Sequence, residues 1–470
     1  MSTEPIREEY DVVIVGAGPA GLSAARICAG AGLSTVLFDE QASPGGQIYR
    51  SICASPHRRD SVLGGDYWRG MALVDALRAS GAQYVPNAAV WSLTRGRELG
   101  VAAGGGVRLV RARRVILCTG ALERPFPVPG WTLPGVMTAG AAQVMLKSSA
   151  LLPQGRVVLA GCGPLLWLLA WQFLQAGSTI DRILSTTARA NRMRALAHLP
   201  SFLLSPYLAK GVRLMREVRA RVRVIGDVTQ LRASGSDKVE TVAYRSNGGA
   251  EEQMPVDTLL LHQGVVPNVN LAMSAGVEHR WDDDQLCFVP TLGPNGETSV
   301  DGVAIAGDGG GIAGAEIAEQ RGVLAAIGAV RALSGSAPAG ETQARRVIER
   351  YARGRRFLDL RYQPAQQFRI PTGDTIVCRC EEVSAEQVME TVRLGCPGPN
   401  QMKAFLRCGM GPCQGRLCGL TVTEMIASGR GVAPQAVGYY RVRPPVKPIT
   451  VAELASLPKS TADVNAVVRI

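Results

Sequence analysis

Two groups of residues in this 470-residue chain have the types and spacing of chemistry. Six of its 11 cysteines, Cys378, Cys380, Cys396, Cys408, Cys413 and Cys418, fall in one short segment. In a chain that opens without an export signal, thiols gathered in this way read as metal ligands or reduced thiols rather than as a disulfide framework. The other five, Cys28, Cys53, Cys118, Cys162 and Cys287, are scattered, as small core or loop residues are. The second group is Gly16, Gly18 and Gly21, which give G-x-G-x-x-G around Pro19 and Ala20. That spacing serves a bound dinucleotide: the first glycine permits the turn, the second lets backbone approach a pyrophosphate, and the third lets a helix pack on the sheet. The pyrophosphate then meets the unpaired N–H groups and positive dipole end of the helix.

The elements around the glycines are those the chemistry requires. Asp11 to Val15 is an apolar, β-branched run of buried-strand length, and Thr35 to Phe38 is a second. The second run ends in Asp39 and Glu40, placed to hydrogen-bond a ribose. Gly46 and Gln47 follow in a Pro-Gly-Gly-Gln turn that lets backbone approach a flat ligand, and Ala82 to Trp91 passes near an adenine at Val90. Arg114 to Cys118 is a further buried strand leading into Thr119 and Gly120. Far along the chain, Gly302 to Ala306 leads into Gly307, Asp308 and a glycine-rich turn before an alanine-rich helix, where an acid can hold a sugar-alcohol chain. These segments close one FAD-binding domain, split by an insert. The flavin is expected to be non-covalent, since no histidine or cysteine sits in an attachment motif. No C-x-x-C pair follows the Gly45-Gly46 turn, which argues against dithiol chemistry.

The insert starts a second strand–turn–helix at Val157 to Ala160 and Gly161-Cys162-Gly163-Pro164. Leu166 stands where the third glycine belongs, and the next strand, Arg182 to Thr186, ends without an acid. Both changes weaken a nicotinamide nucleotide site. His262, ending the strand Thr258 to His262, is read as a satisfied strand-end residue, with a place facing the flavin as the alternative. The prolines at 125, 127, 129 and 134 make a stiff connector, and Ser334 to Glu341 reads as a linker.

Composition narrows the class. A net charge of +12, from 51 Lys and Arg against 39 Asp and Glu, could suit nucleic acid. The basic residues, however, lie in two stretches, Arg182 to Arg232 and Arg345 to Arg361, interleaved with core-type Leu and Val, and no nucleic-acid motif accompanies them. A solvated face or an acidic protein partner is the expectation. The most apolar helical run, Pro164 to Leu174, is too short to cross a bilayer, so we expect a cytoplasmic protein with no transmembrane segment; peripheral membrane association stays open.

The stretches CTGALERPFPVPGWTLPGVMTAGAAQVML, LLLHQGVVPN and AIAGDGGGIAGAEIA resemble the α subunit of heteromeric dye-linked dehydrogenases: opine oxidases, D-hydroxyproline and L-proline dehydrogenases, hydrogen cyanide synthase, and part of the sarcosine oxidase α chain. The cysteine segment resembles the bacterioferritin-associated ferredoxin-like [2Fe-2S] domain. The resemblance implies an α/β, two-dinucleotide-domain flavoprotein of the pyridine nucleotide-disulfide reductase type with a small C-terminal helical [2Fe-2S] domain. Its ligands would be Cys378, Cys380, Cys413 and Cys418, two to each side of the cluster, with zinc as the competing metal. Gly409, Gly411 and Gly415 would keep side chains off the sulfides. Cys396 is an extra, and Cys408 stands where the motif usually has a small residue; it is read as a bystander or as a substitute for Cys413.

The implied division is a first FAD part at 1–148, a nucleotide-binding-like insert at 149–256, a second FAD part at 257–335, a linker at 336–371, the [2Fe-2S] domain at 372–431 and a tail at 432–470. Implied partners are a catalytic flavoprotein β subunit with a small γ subunit, for which Tyr439 to Pro448 and the basic surfaces are docking candidates. No catalytic acid–base constellation is apparent. The function implied is oxidation of an opine or secondary amino acid, with this chain relaying electrons; the alternative is a self-contained NAD(P)H-dependent reductase.

Overall fold

The computed structural model describes residues 4–59, 62–457 and 459; Met1 to Thr3, from the stretch read for export, and most of the last part of the expected tail lie outside them. The chain begins with the strand Glu9–Val15, the helix Pro19–Gly30 and the strand Thr35–Phe38. Val12, Val13 and Ile14 are fully buried, because the strand is covered on both faces. Burial of such side chains contributes about 1.5–3 kcal/mol each. That outweighs the roughly 1–2 kcal/mol per residue needed to fix the backbone of the turn that follows.

Glu9–Val15 runs parallel to Thr35–Phe38 on one side and to the long strand Gly106–Leu117 on the other. The sheet is completed by Gln83–Val85 beyond Thr35–Phe38 and by the antiparallel strands Glu98–Ala103 and Ala89–Leu93. Its last member, Val303–Ile305, returns from far along the chain to pair with Gly106–Leu117. The helix Ala315–Ser334 then lies against Pro19–Gly30.

A second parallel sheet has the order Arg223–Ile225, Arg182–Ser185, Val157–Cys162, Thr258–Gln263 and Val136–Thr138. It draws Val136–Thr138 and Thr258–Gln263 from outside the 149–256 span expected for the insert. The chain crosses between the two sheets twice, and the crossings pair with each other as Ala121–Glu123 against Val265–Pro267. A three-stranded antiparallel sheet, Val228–Ser234, Thr241–Ser246 and Glu251–Pro255, flanks the second unit.

The 336–371 segment, expected as a linker, is largely helical. It forms the helices Glu341–Ala352, Arg355–Arg361 and Gln366–Arg369, and Phe357 stacks on Phe202 with ring centroids 4.3 Å apart. The cysteine-bearing segment, with helices Ala385–Arg393, Pro399–Leu406 and Gly419–Arg430, shares one apolar core with the first sheet. Among the described residues no helix is long and apolar enough to cross a membrane.

Candidate active site and metal centre

At the carboxyl end of the Glu9–Val15 strand a cleft opens between the first turn, the Pro44–Gln47 loop and the 307–315 segment. Gly16, Gly18, Pro19, Ala20, Asp39, Glu40, Gly46, Gln47, Val90, Thr119, Gly120, Gly307 and Asp308, separated by up to three hundred positions, all line it. Gly21 does not. Its role is packing: a Cβ there would lie 1.9 Å from the carbonyl oxygen of Gly16, so only glycine lets the helix start this close to the turn.

Charge in the cleft is held by backbone. Asp39 is buried; Oδ2 accepts from the Ala17 N–H at 2.5 Å and Oδ1 from the Gln41 N–H at 2.7 Å. Burial pushes its carboxyl up, against the pull of those two donors. Asp308 Oδ1 accepts from the N–H groups of Ala313 and Gly314 at 2.9 and 3.1 Å, which fixes the loop leading into Ala315–Ser334. Each acid keeps lone pairs for sugar hydroxyls. Gly46 has φ +60, and a Cβ on it would lie 2.8 Å from the Cα of Gly18, so the two loops present bare backbone to each other across the cleft. Arg50 and Asn270 also line it, and Arg50 Nε and Asn270 Oδ1 are buried with no hydrogen-bond partner among the described residues. A bare-backbone cradle, two acids for hydroxyls and two unsatisfied polar atoms suit FAD. It would lie with its pyrophosphate at the Pro19–Gly30 helix, held by the lining residues above.

Several lining residues were not expected at this cleft. Asn268, Asn270, Arg416, Val446 and Lys447 reach the cleft from remote segments. The tail covers the end near Val90: the Val446 N–H donates to the Trp91 carbonyl at 2.8 Å, and Lys447 Nζ lies 2.5 Å from Glu40 Oε2. Tyr440, Val442 and Val446 are buried, so one side of the 439–448 stretch packs on this chain, while Arg441, Arg443, Pro444, Pro445 and Pro448 are exposed. Its aromatic and branched residues find apolar partners within the same chain.

His262 is 1% exposed with Nδ1 2.6 Å from Glu123 Oε1, and it does not line the flavin cleft. Glu123 in turn accepts from the Gly140 N–H at 2.8 Å, so the pair ties the first crossing and the strand Thr258–Gln263 to the helix Ala139–Ser149.

The second unit's crevice, outside the carboxyl ends of its strands, is where a dinucleotide would be expected. Residues 362–369 run across it. The Cys162 thiol donates to the Tyr362 carbonyl at 3.4 Å, Asn191 Nδ2 to the Gln363 carbonyl at 2.8 Å, and Gln263 Nε2 to the Phe368 carbonyl at 3.1 Å. Leu166 is buried in the helix Pro164–Gln175, where the missing glycine would have brought helix and strand closer.

In the C-terminal segment the sulfurs of Cys378, Cys408 and Cys418 lie within 4.8 Å of one another, all buried. Hydrogen bonds from Cys408 and Cys418 hold the Cys378 thiol well below its usual range. Cys380 is hydrogen-bonded to Cys413. Cys408, read as a bystander or as a substitute for Cys413, thus lies beside Cys378 and Cys418. Arg407 takes a left-handed conformation, φ +56, at the end of Pro399–Leu406, and Cys408 follows it inward beside Cys378 and Cys418. Cys396 stays apart, with its thiol on the Gly398 carbonyl at 3.4 Å. Of the three glycines, Gly411 packs on Cys380, whereas Gly409 and Gly415 make room for the Tyr440 ring. An all-thiol donor set in two groups fits an iron–sulfur site.

A split nucleotide-binding domain with this cleft, a second parallel unit and paired crossings define a two-dinucleotide-domain flavoprotein. The chain belongs to the pyridine nucleotide-disulphide oxidoreductase family, which it matches over residues 10–322, and it is a FAD-dependent oxidoreductase. Residues 372–457 match the sarcosine oxidase A3 domain. The chain is 47% identical to the A subunit of opine oxidase from Rhizobium meliloti, over 98% of this chain and 90% of the relative. It is also 47% identical to the corresponding opine oxidase polypeptide of Agrobacterium tumefaciens (strain Ach5), over 97% and 94%. Among solved structures it is similar to L-proline dehydrogenase from P. horikoshii, with TM-score 0.69 and 19% identity over 95% of this chain and 79% of the other.

Proposed function

We propose that this chain is the FAD- and [2Fe-2S]-carrying α subunit of a multi-subunit dye-linked dehydrogenase that oxidises an opine or secondary amino acid. In this reading it relays electrons delivered by a partner flavoprotein β subunit, and a small γ subunit is a further member. The observation that carries the reading is the contact between the two sites: Arg416, between Cys413 and Cys418, lines the flavin cleft. FAD accepts electrons in pairs and an iron–sulfur cluster passes them singly, so the two placed together split a two-electron package. The residues do the rest. Asp39, Asp308 and the 16–20 turn would bind and orient the cofactor, Val446 and Lys447 would cover its far end, and the thiols, Cys378 and Cys418 buried and Cys380 and Cys413 half-buried, would hold the metal.

Identity to subunits named for opine oxidation supports the substrate class and the need for partners. The alternative, a self-contained NAD(P)H-dependent reductase, is disfavoured by residues 362–369 lying across the second crevice. The test is expression of this chain alone and with its neighbouring subunits, assaying dye reduction with octopine, nopaline, proline and hydroxyproline. Turnover only with the partners is expected. Full turnover by the isolated chain would overturn the relay.

A further inference from the structure

Asn270 stands between the flavin cleft and the cysteine loop. It is 2% exposed and lines the cleft, and its Nδ2 donates to the main-chain carbonyl of Gln414 at 2.9 Å. Gln414 directly follows Cys413. The loop is itself tightly turned: the Gln414 N–H reaches the Gly411 carbonyl at 2.8 Å, the Arg416 N–H reaches the Cys413 carbonyl at 3.2 Å, and Gln414 sits at φ +51. The other end of the Asn270 amide, Oδ1, is buried without a partner among the described residues. A buried acceptor left unsatisfied costs about 1–3 kcal/mol, so a partner is to be expected from whatever fills the cleft. FAD offers ring N–H and ribityl O–H donors there.

Resting on the proposed function, we infer that Asn270 is a positioning residue that couples the two redox sites. Its Oδ1 accepts a hydrogen bond from the bound flavin, and its Nδ2 fixes the Gln414 carbonyl and thereby the neighbouring Cys413. Arg416, carried on the same loop, places a positive charge beside the flavin. The placement of the metal ligand and the occupancy of the flavin cleft are then linked through one side chain, and a change in the loop is felt by the flavin as a change in field.

The test uses the full-length protein, purified anaerobically, in wild-type, Asn270→Ala and Arg416→Met forms. Three quantities are measured: FAD affinity of the deflavinated protein, the electron paramagnetic resonance signal of the reduced cluster, and the flavin midpoint potential. Asn270→Ala should bind FAD about tenfold more weakly, as loss of one buried hydrogen bond predicts, and its cluster signal should shift even at saturating FAD. Arg416→Met should retain the cluster and move the flavin potential to more negative values, since a positive charge favours the electron-rich form. Asn270→Ala with wild-type affinity, or with weakened affinity and an unshifted cluster signal, would overturn the coupling, as would an Arg416→Met protein of unchanged potential. A wild-type protein devoid of iron would instead overturn the proposed function, and this inference with it.

Discussion

The thiol of Cys162, in the glycine turn of the second nucleotide-binding-like unit, donates to the carbonyl of Tyr362 at 3.4 Å. A turn of this kind ordinarily offers its backbone to a pyrophosphate; here the chain passes beside it at Tyr362. Mixing the FAD-loaded protein anaerobically with NADH or NADPH should leave the flavin absorbance unchanged. Reduction at a catalytic rate would show that residues 362–369 move aside and would favour the reductase.

The FAD should be released into the supernatant by acid precipitation, as expected of a non-covalently bound flavin. Gly46→Val should lower the flavin content of the purified protein markedly, because even a Cβ at this position would lie 2.8 Å from the Gly18 Cα. A Gly46→Val protein with full flavin content would contradict the assignment of the cleft.

The thiols make a graded prediction. Wild-type protein should be brown with about two irons and two labile sulfides per chain. Cys378→Ser and Cys418→Ser should abolish the visible and paramagnetic signals, and Cys396→Ser should leave them intact, its thiol being engaged with Gly398. Zinc in place of iron after anaerobic purification would refute the cluster.

Glu424 is 3% exposed, in the Gly419–Arg430 helix, with one carboxylate oxygen 3.5 Å from Arg124 and the other in contact with Arg369. Arg124 also donates to the carbonyls of Gln285 and Leu286, both at 2.8 Å. Removing the acid that lies between the buried Arg124 and the half-buried Arg369 guanidinium groups leaves charge uncompensated, at a cost of roughly 3–5 kcal/mol. Glu424→Gln should therefore lower the urea midpoint of unfolding strongly, while the double variant Glu424→Gln with Arg369→Met should recover part of the loss.

Lys147 is buried beneath the flavin-cleft loop, donating to the carbonyls of Gln47 and Ile48 at 3.1 and 3.0 Å. Burial, reinforced by the nearby Arg50 charge, pulls its amine down from 10.5 to about 7. Between these values the unfolded chain binds the proton and the folded one does not, so stability should rise with pH across that window and should be lowest, from this group, below it. Urea midpoints measured across the window should rise in wild-type and be flatter in Lys147→Met; equal slopes would exclude Lys147 as the source.

The first fingerprint was legible because its requirements are local. A strand, a turn and a helix packed through Gly21, with an acid at the end of the next strand, are contiguous in sequence, and the same short-range logic found Asp308. The cysteines were legible as a group but not as a geometry. Spacing alone does not reveal that Arg407 adopts a left-handed conformation, and that one backbone state brings Cys408 in beside Cys378 and Cys418. The remaining features depend on contacts between residues far apart in the chain. Asn270 on Gln414, Lys447 on Glu40, and Tyr362 over Cys162 each join segments more than a hundred positions apart. Short-range propensity carries no information about such pairs, because burial and packing select them only after the two sheets and the C-terminal segment have docked. The sequence by itself therefore determined that this chain binds a dinucleotide and gathers thiols. Only the tertiary structure decided that the thiol loop forms part of the flavin cleft's wall and that residues 362–369 run across the second crevice.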